Sequence, residues 1–174
     1  MIGLVVAIMA GTWISFLTGL VTKRVEIWPF WLVFSVVNLG FAVKRKRTRM
    51  TGLFWVTVVG WGVFLVKLFS QMMVKTADGI WAGGSNVCGD WAAPMGYIAN
   101  WLFGANWPPQ NPWYAGIRLS YPFLFDYTSA ILAKSGLTIP WSMQIPGMVL
   151  GIIIVALLFR LTERLTKSAV AGAL

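Results

Sequence analysis

Residues 2–21, IGLVVAIMAGTWISFLTGLV, hold no charged side chain. A helix rising about 1.5 Å per residue needs roughly 20 mainly apolar residues to cross a hydrocarbon core about 30 Å thick, and this run has that length. Three more runs of the same kind follow, Ile27–Val43, Gly52–Val74 and Trp141–Phe159, broken by a single charge at Lys67. The expected fold class is therefore an all-α membrane protein with about four transmembrane helices. Residues 75–140, between the third and fourth runs, are the exception and the place to look for function.

Composition points the same way. The 174 residues are 58% hydrophobic and 11% charged, with mean hydropathy +0.74, against roughly 25% charged in an ordinary soluble domain. Of the 14 Lys and Arg, five form one block between spans, Lys44, Arg45, Lys46, Arg47 and Arg49. A basic run in that position reads as a cytoplasmic loop 44–51 beside anionic headgroups, not as a nucleic-acid surface. Cys88 is the sole cysteine and there is no histidine. An intrachain disulfide, a Cys-based zinc site and His-based acid/base chemistry are thus not available to this polypeptide.

Placing the 44–49 block inside orients the rest. The N-terminus is cytoplasmic, Gly52–Val74 runs outward, residues 75–140 are exterior, and Trp141–Phe159 returns so that Arg160, Glu163, Arg164 and Lys167 fall inside. The expected location is the cell membrane, multi-pass. The first run lacks a basic leading segment and is longer than a signal-peptide core, which argues against cleavage. The apolar tail 168–174 reads as the start of a further span.

The exterior segment is rich in aromatics, not in low-complexity polar residues, so it is expected to be ordered. Asp90 can cap a helix over about 90–103, with Pro94 in its first turn and Gly104 as its stop; Trp91, Met95, Ile98 and Leu102 would share one face. Residues 106–116, NWPPQNPWYAG, form a proline-stiffened rim. Ser120 can cap a second interfacial helix over about 121–135, with Gly136 as stop. Gly83-Gly84-Ser85-Asn86 could form an anion-binding nest or simply a turn. Asp126, set among Phe123, Phe125 and Tyr127, is expected to form a structural ion pair with Lys134, with Arg118 as the other available partner. Lys67 either snorkels or binds phosphate. Arg118, exterior and forked, is the better phosphate ligand.

Gly89-Asp90-Trp91, the short helix after it, Pro108-Pro109-Gln110-Asn111-Pro112, Ala115-Gly116, Leu119-Ser120-Tyr121-Pro122-Phe123, Asp126, and then a proline-containing span ending in basic residues resemble the N-terminal part of GT-C-type polytopic membrane glycosyltransferases. The resemblance covers roughly residues 75–167. It implies a sugar donor on a polyprenyl phosphate, with Asp90 as the base that takes the proton of the acceptor hydroxyl. Arg118, Lys67 and Trp91 would bind substrate or phosphate, and Trp107, Trp113 and Tyr114 would form a carbohydrate stacking platform. On the residues alone, the plain helix cap is the favoured reading of Asp90, and the resemblance is what brings the catalytic base level with it. Full members of that superfamily have more spans, with the acidic loop commonly after the first, and a histidine would be expected near Pro94 or Tyr121. The chain therefore reads as one portion of a longer or split enzyme. The alternative is a non-catalytic membrane subunit that packs its aromatic loop against a larger complex. No cofactor is expected. Asp78, Asp90 and Asp126 could offer oxygen ligands to a divalent cation, but nothing in their spacing brings them together. The partners implied are the bilayer, a lipid-linked sugar, and a further subunit or C-terminal part.

Overall fold

The computed structural model describes residues 2–44, 50–83, 90–104, 106–114 and 116–173. The basic block at 45–49, most of the 83–86 glycine turn, Cys88, Gly89 and Ala115 lie outside them. The fold is mostly helical: α1 (Ile2–Thr22), α2 (Trp28–Lys44), α3 (Gly52–Met72), a hairpin of β1 (Met73–Thr76) and β2 (Gly79–Ala82), α4 (Ala92–Phe103), α5 (Leu124–Lys134), α6 (Ile139–Thr166) and α7 (Ala169–Ala173). By length and composition, α1, α3 and α6 can each cross a membrane, and the surroundings they call for are a lipid bilayer. The expected second span is α2, apolar but only 17 residues long.

The helices pair through small residues. Along α1 the stripe Gly3, Ala7, Gly11, Ser15, Gly19 recurs at every fourth position and is buried. A β-carbon on Gly3 would sit 2.7 Å from the Phe41 ring, and one on Gly11 would sit 3.0 Å from that of Phe30. Thus α2 runs antiparallel along this stripe. The same device joins α6 to α3: a β-carbon on Gly147 would meet Phe69 at 2.8 Å and one on Gly151 would meet Leu65 at 3.0 Å. Small residues let helix backbones approach closely where lipid offers no hydrophobic drive to association. The far end of this second pair closes with Phe54 edge-on to Phe159 at 5.3 Å. There α7 packs back on α6 and α3.

The two pairs make at most marginal direct contact with each other; α5 bridges them by packing on both α1 and α6. The main core lies at that end of the bundle. Phe16, Phe30, Met73 and Met143 from the helix ends meet Tyr97, Ile98 and Trp101 of α4 and Tyr127, Ala130 and Ile131 of α5. Tyr127 is fully buried, with Phe16, Trp101 and Trp107 edge-on to it at 5.4–5.9 Å. Its hydroxyl donates to the Ser15 carbonyl at 3.2 Å, and Thr12 and Thr128 share a hydroxyl hydrogen bond of 2.8 Å.

Several boundaries differ from the sequence reading. The third run stops being helical at Met72, and Val74, Ile80 and Trp81 enter a strand pair closed by the two-residue turn Ala77–Asp78, with Gly79 at φ +142°. The fold stays mostly helical, consistent with the expected all-α membrane class, with this hairpin as an addition at the end of α3. Asp90 does not cap α4: Trp91 occupies the capping position in an already helical conformation, and no side chain bonds the helix start. Nor does Ser120 cap α5, which begins at Leu124 with Phe123 in the capping position and no side-chain cap. Gly136, at φ +111°, does end α5, in the left-handed region that favours glycine. Pro140 sits in the first turn of α6, and that helix runs through Pro146 without a break in assignment.

Candidate functional site

Asp90 stands two residues before α4, exposed, with no hydrogen bond or ion pair among the described residues. The helix behind it is firmly held. Tyr97, Ile98 and Trp101 are buried in the core, and Met95 and Leu102 pack against it, so the predicted inward face is the observed one, extended by Tyr97 and Trp101. Trp91 turns inward and packs on the core, its indole N–H buried without an acceptor among the described residues.

The rim of residues 106–121 folds over α4. The Asn106 side chain bonds both ways to the Gln110 backbone, at 2.8 Å each. Gln110 pairs with Arg118 in an isolated bridge, and the Asn111 N–H reaches the Ile117 carbonyl at 2.8 Å. Asn111 Oδ1 accepts from the Trp113 N–H at 2.9 Å, an Asx turn that sets the direction of the indole. Trp113 lies across Gly96, where a β-carbon would come within 2.6 Å of the ring, and Tyr121 stacks on Tyr97 at 5.5 Å. The exposed Trp113 ring thus covers the second turn of α4, at the same end of the helix as Asp90. Tyr114 is exposed beside it. Trp107 departs from the expected stacking platform: it is packed against Phe16 at 5.8 Å and crosses Gly19 of α1.

Of the other predicted ligands, Arg118 and Lys67 are both exposed. Neither they nor Asp90 line either of the two cavities described among these residues.

The expected Asp126–Lys134 ion pair is not formed. The two residues are eight apart on one helix, a rise of about 12 Å, beyond the reach of an ion pair. Lys134 instead donates to the Val25 carbonyl at 2.6 Å. Its charge also helps to lower the pKa of Glu26, though the hydrogen bond from Arg24 does more, against the opposing effect of burial. Asp126 is 5% exposed with no partner among the described residues, and burial pushes its carboxyl up to about 6. Burial likewise pushes the Tyr127 hydroxyl up to about 12.

Among the described residues no group of three or more His, Cys, Asp or Glu could hold a metal ion. The sequence reading passed over Lys75, Thr76 and Thr138, which line the larger cavity beside Lys134. Their only sequence signal is that they flank span ends. Comparison with protein-family models, with curated proteins and with solved structures finds no match to this chain.

Proposed function

We propose that this chain is the N-terminal membrane portion of a lipid-linked sugar transferase, threading the membrane four times with α2 as its short second span and with residues 75–140 facing away from the cytosol. The observation that carries the reading is that Asp90 and Trp113 both stand toward the N-terminal end of α4. Asp90 is not consumed as a helix cap, which leaves its carboxylate able to accept a proton from an attacking hydroxyl. Trp113 presents an open indole face of the kind on which a sugar ring stacks, with Tyr114 next to it in sequence. Arg118, anchored through its backbone to Gln110, supplies a forked cation for a phosphate on the same rim.

A direct test is Asp90→Asn in the full-length protein in native membranes, assayed for transfer from polyprenyl-phosphate sugars to hydroxyl acceptors. Transfer should fall by about 10²-fold or more, the contribution expected of a general base, while the protein stays folded. Unchanged transfer would remove Asp90 from the chemistry.

One set of observations favours a second reading, a membrane subunit without catalysis of its own. None of Asp90, Arg118 and Lys67 lines either of the two cavities described, and Trp113, Tyr114, Ile117 and Tyr121 are exposed large apolar side chains on the rim. Such side chains mark contact surfaces as readily as sugar sites. Loss of co-purifying membrane partners on Trp113→Ser, with transfer unaffected by Asp90→Asn, is the result that selects this reading.

A further inference from the structure

A cavity of about 550 Å³ opens between the β1–β2 hairpin, the end of α4 and the α5–α6 junction. Its polar lining is Lys75 and Thr76 from the hairpin and Lys134 and Thr138 from the α5–α6 junction, and its apolar lining includes Ile80 and Phe103. Among the described residues no Asp or Glu lines it. Beside it is a recess of about 170 Å³, which shares Lys75 and Thr138 and continues along Ser70 and Met73 at the end of α3 to Trp141 in the first turn of α6. Lys67, three residues before Ser70, lies one turn further along that face of α3.

The two lysines are not equivalent. Lys134 is held by the Val25 carbonyl and lies in the field of Glu26, which is itself engaged by Arg24. Lys75 is exposed and makes no hydrogen bond or ion pair among the described residues, so it is the uncompensated cation of the cavity. The site sits where two helices long enough to cross a membrane end, and Trp141 is the amphipathic ring expected at that depth.

We infer that this cavity and recess bind an anionic glycerophospholipid of the bilayer. Its phosphate lies between Lys75 and Lys134 with Thr138, whose hydroxyl makes no capping bond to α6, as donor, and its glycerol and upper chains follow the recess past Ser70 to Trp141. Every charged side chain of the lining is cationic, much of the remainder is apolar, and the recess lies between the end of α3 and the start of α6. A free anion would need only the first of these features. The inference uses none of the residues on which the transferase reading rests.

The test is native mass spectrometry of the full chain released from detergent, with phosphatidylglycerol and phosphatidylcholine of matched chains. Phosphatidylglycerol should be retained at least several-fold better. Lys75→Gln should erase most of that preference, while Arg164→Gln, at the opposite end of α6, and Asp90→Asn leave it intact. Equal retention of the two lipids, or an undiminished preference in Lys75→Gln, overturns the inference. Displacement of phosphatidylglycerol by inorganic phosphate at equal concentration would show a free-anion site, and displacement by a polyprenyl phosphate at substoichiometric concentration a substrate site; either overturns it as well. Lys75 is exposed, so its exchange is not expected to impair folding, and the Thr138→Val variant, which breaks no hydrogen bond among the described residues, provides a second reading of the same lining.

Discussion

Phe30 lies across Gly11 so closely that its ring leaves only 3.0 Å to the place where a β-carbon would stand. The Phe30 carbonyl is equally near, so a side chain at position 11 meets backbone as well as ring and cannot be accommodated by a rotamer change alone. The antiparallel contact of α1 with α2 depends on that gap. Gly11→Val should cost about 1–3 kcal/mol, the range of overpacking in a tight contact. Gly40→Val provides the control, because nothing lies within 4 Å of a β-carbon there. Thermal unfolding in detergent, followed by tryptophan fluorescence, should show a lowered transition for the first variant and little change for the second.

The Thr12–Thr128 hydroxyl bond ties α5 to the middle of α1. Hydrogen bonds between membrane helices average about 0.6 kcal/mol in coupling and reach about 1.7. A double-mutant cycle of Thr12→Val and Thr128→Val should return a coupling of that size. A value near zero would mean that α5 is held by apolar packing alone.

Asp126 gives stability a pH dependence of definite sign. Its folded-state pKa is raised from 3.8 to about 6, so the folded protein holds the proton more tightly than the unfolded chain. Stability is therefore greatest below the unfolded value and declines as pH rises from about 4 through about 6, by up to roughly 3 kcal/mol. Asp126→Asn should remove that decline and raise the transition temperature at pH 7 with little effect at pH 4. Transition temperatures of both proteins measured across pH 4–8 check this; parallel curves would contradict it.

How much of this was legible in the sequence depends on the range of the interaction. Helices of this kind are local, set by length and apolarity: the four runs reappear as helices α1, α2, α3 and α6, of which α1, α3 and α6 are long and apolar enough to cross a membrane. Pairing was also written locally, in the four-residue stripe from Gly3 to Gly19 and in Gly147 and Gly151, but the spacing of small residues was not read. The hairpin had its own signal, Asp78-Gly79 between β-forming residues, which the long apolar run before it masked. The Asp126–Lys134 pair fails on helical rise, which sequence arithmetic could have shown. At the site, Asp90 and Trp113 were named, but their placement at one end of α4 comes from the rim folding over Gly96, which no local pattern encodes. The cavity at Lys75 was illegible for the same reason, since its lining comes from five elements, β1, β2, α4, α5 and α6, spread over residues 75–140.

The account rests on the hairpin, the rim and the cavity sharing the side of the membrane opposite the far end of α6. Single cysteines at Asp78, in the exposed hairpin turn, and at Lys167, beyond α6, in a Cys88→Ser background, test this with a membrane-impermeant maleimide. Asp78→Cys should label in intact cells and Lys167→Cys only after permeabilisation. Labelling of both from the same side, or of Lys167→Cys alone in intact cells, would contradict it.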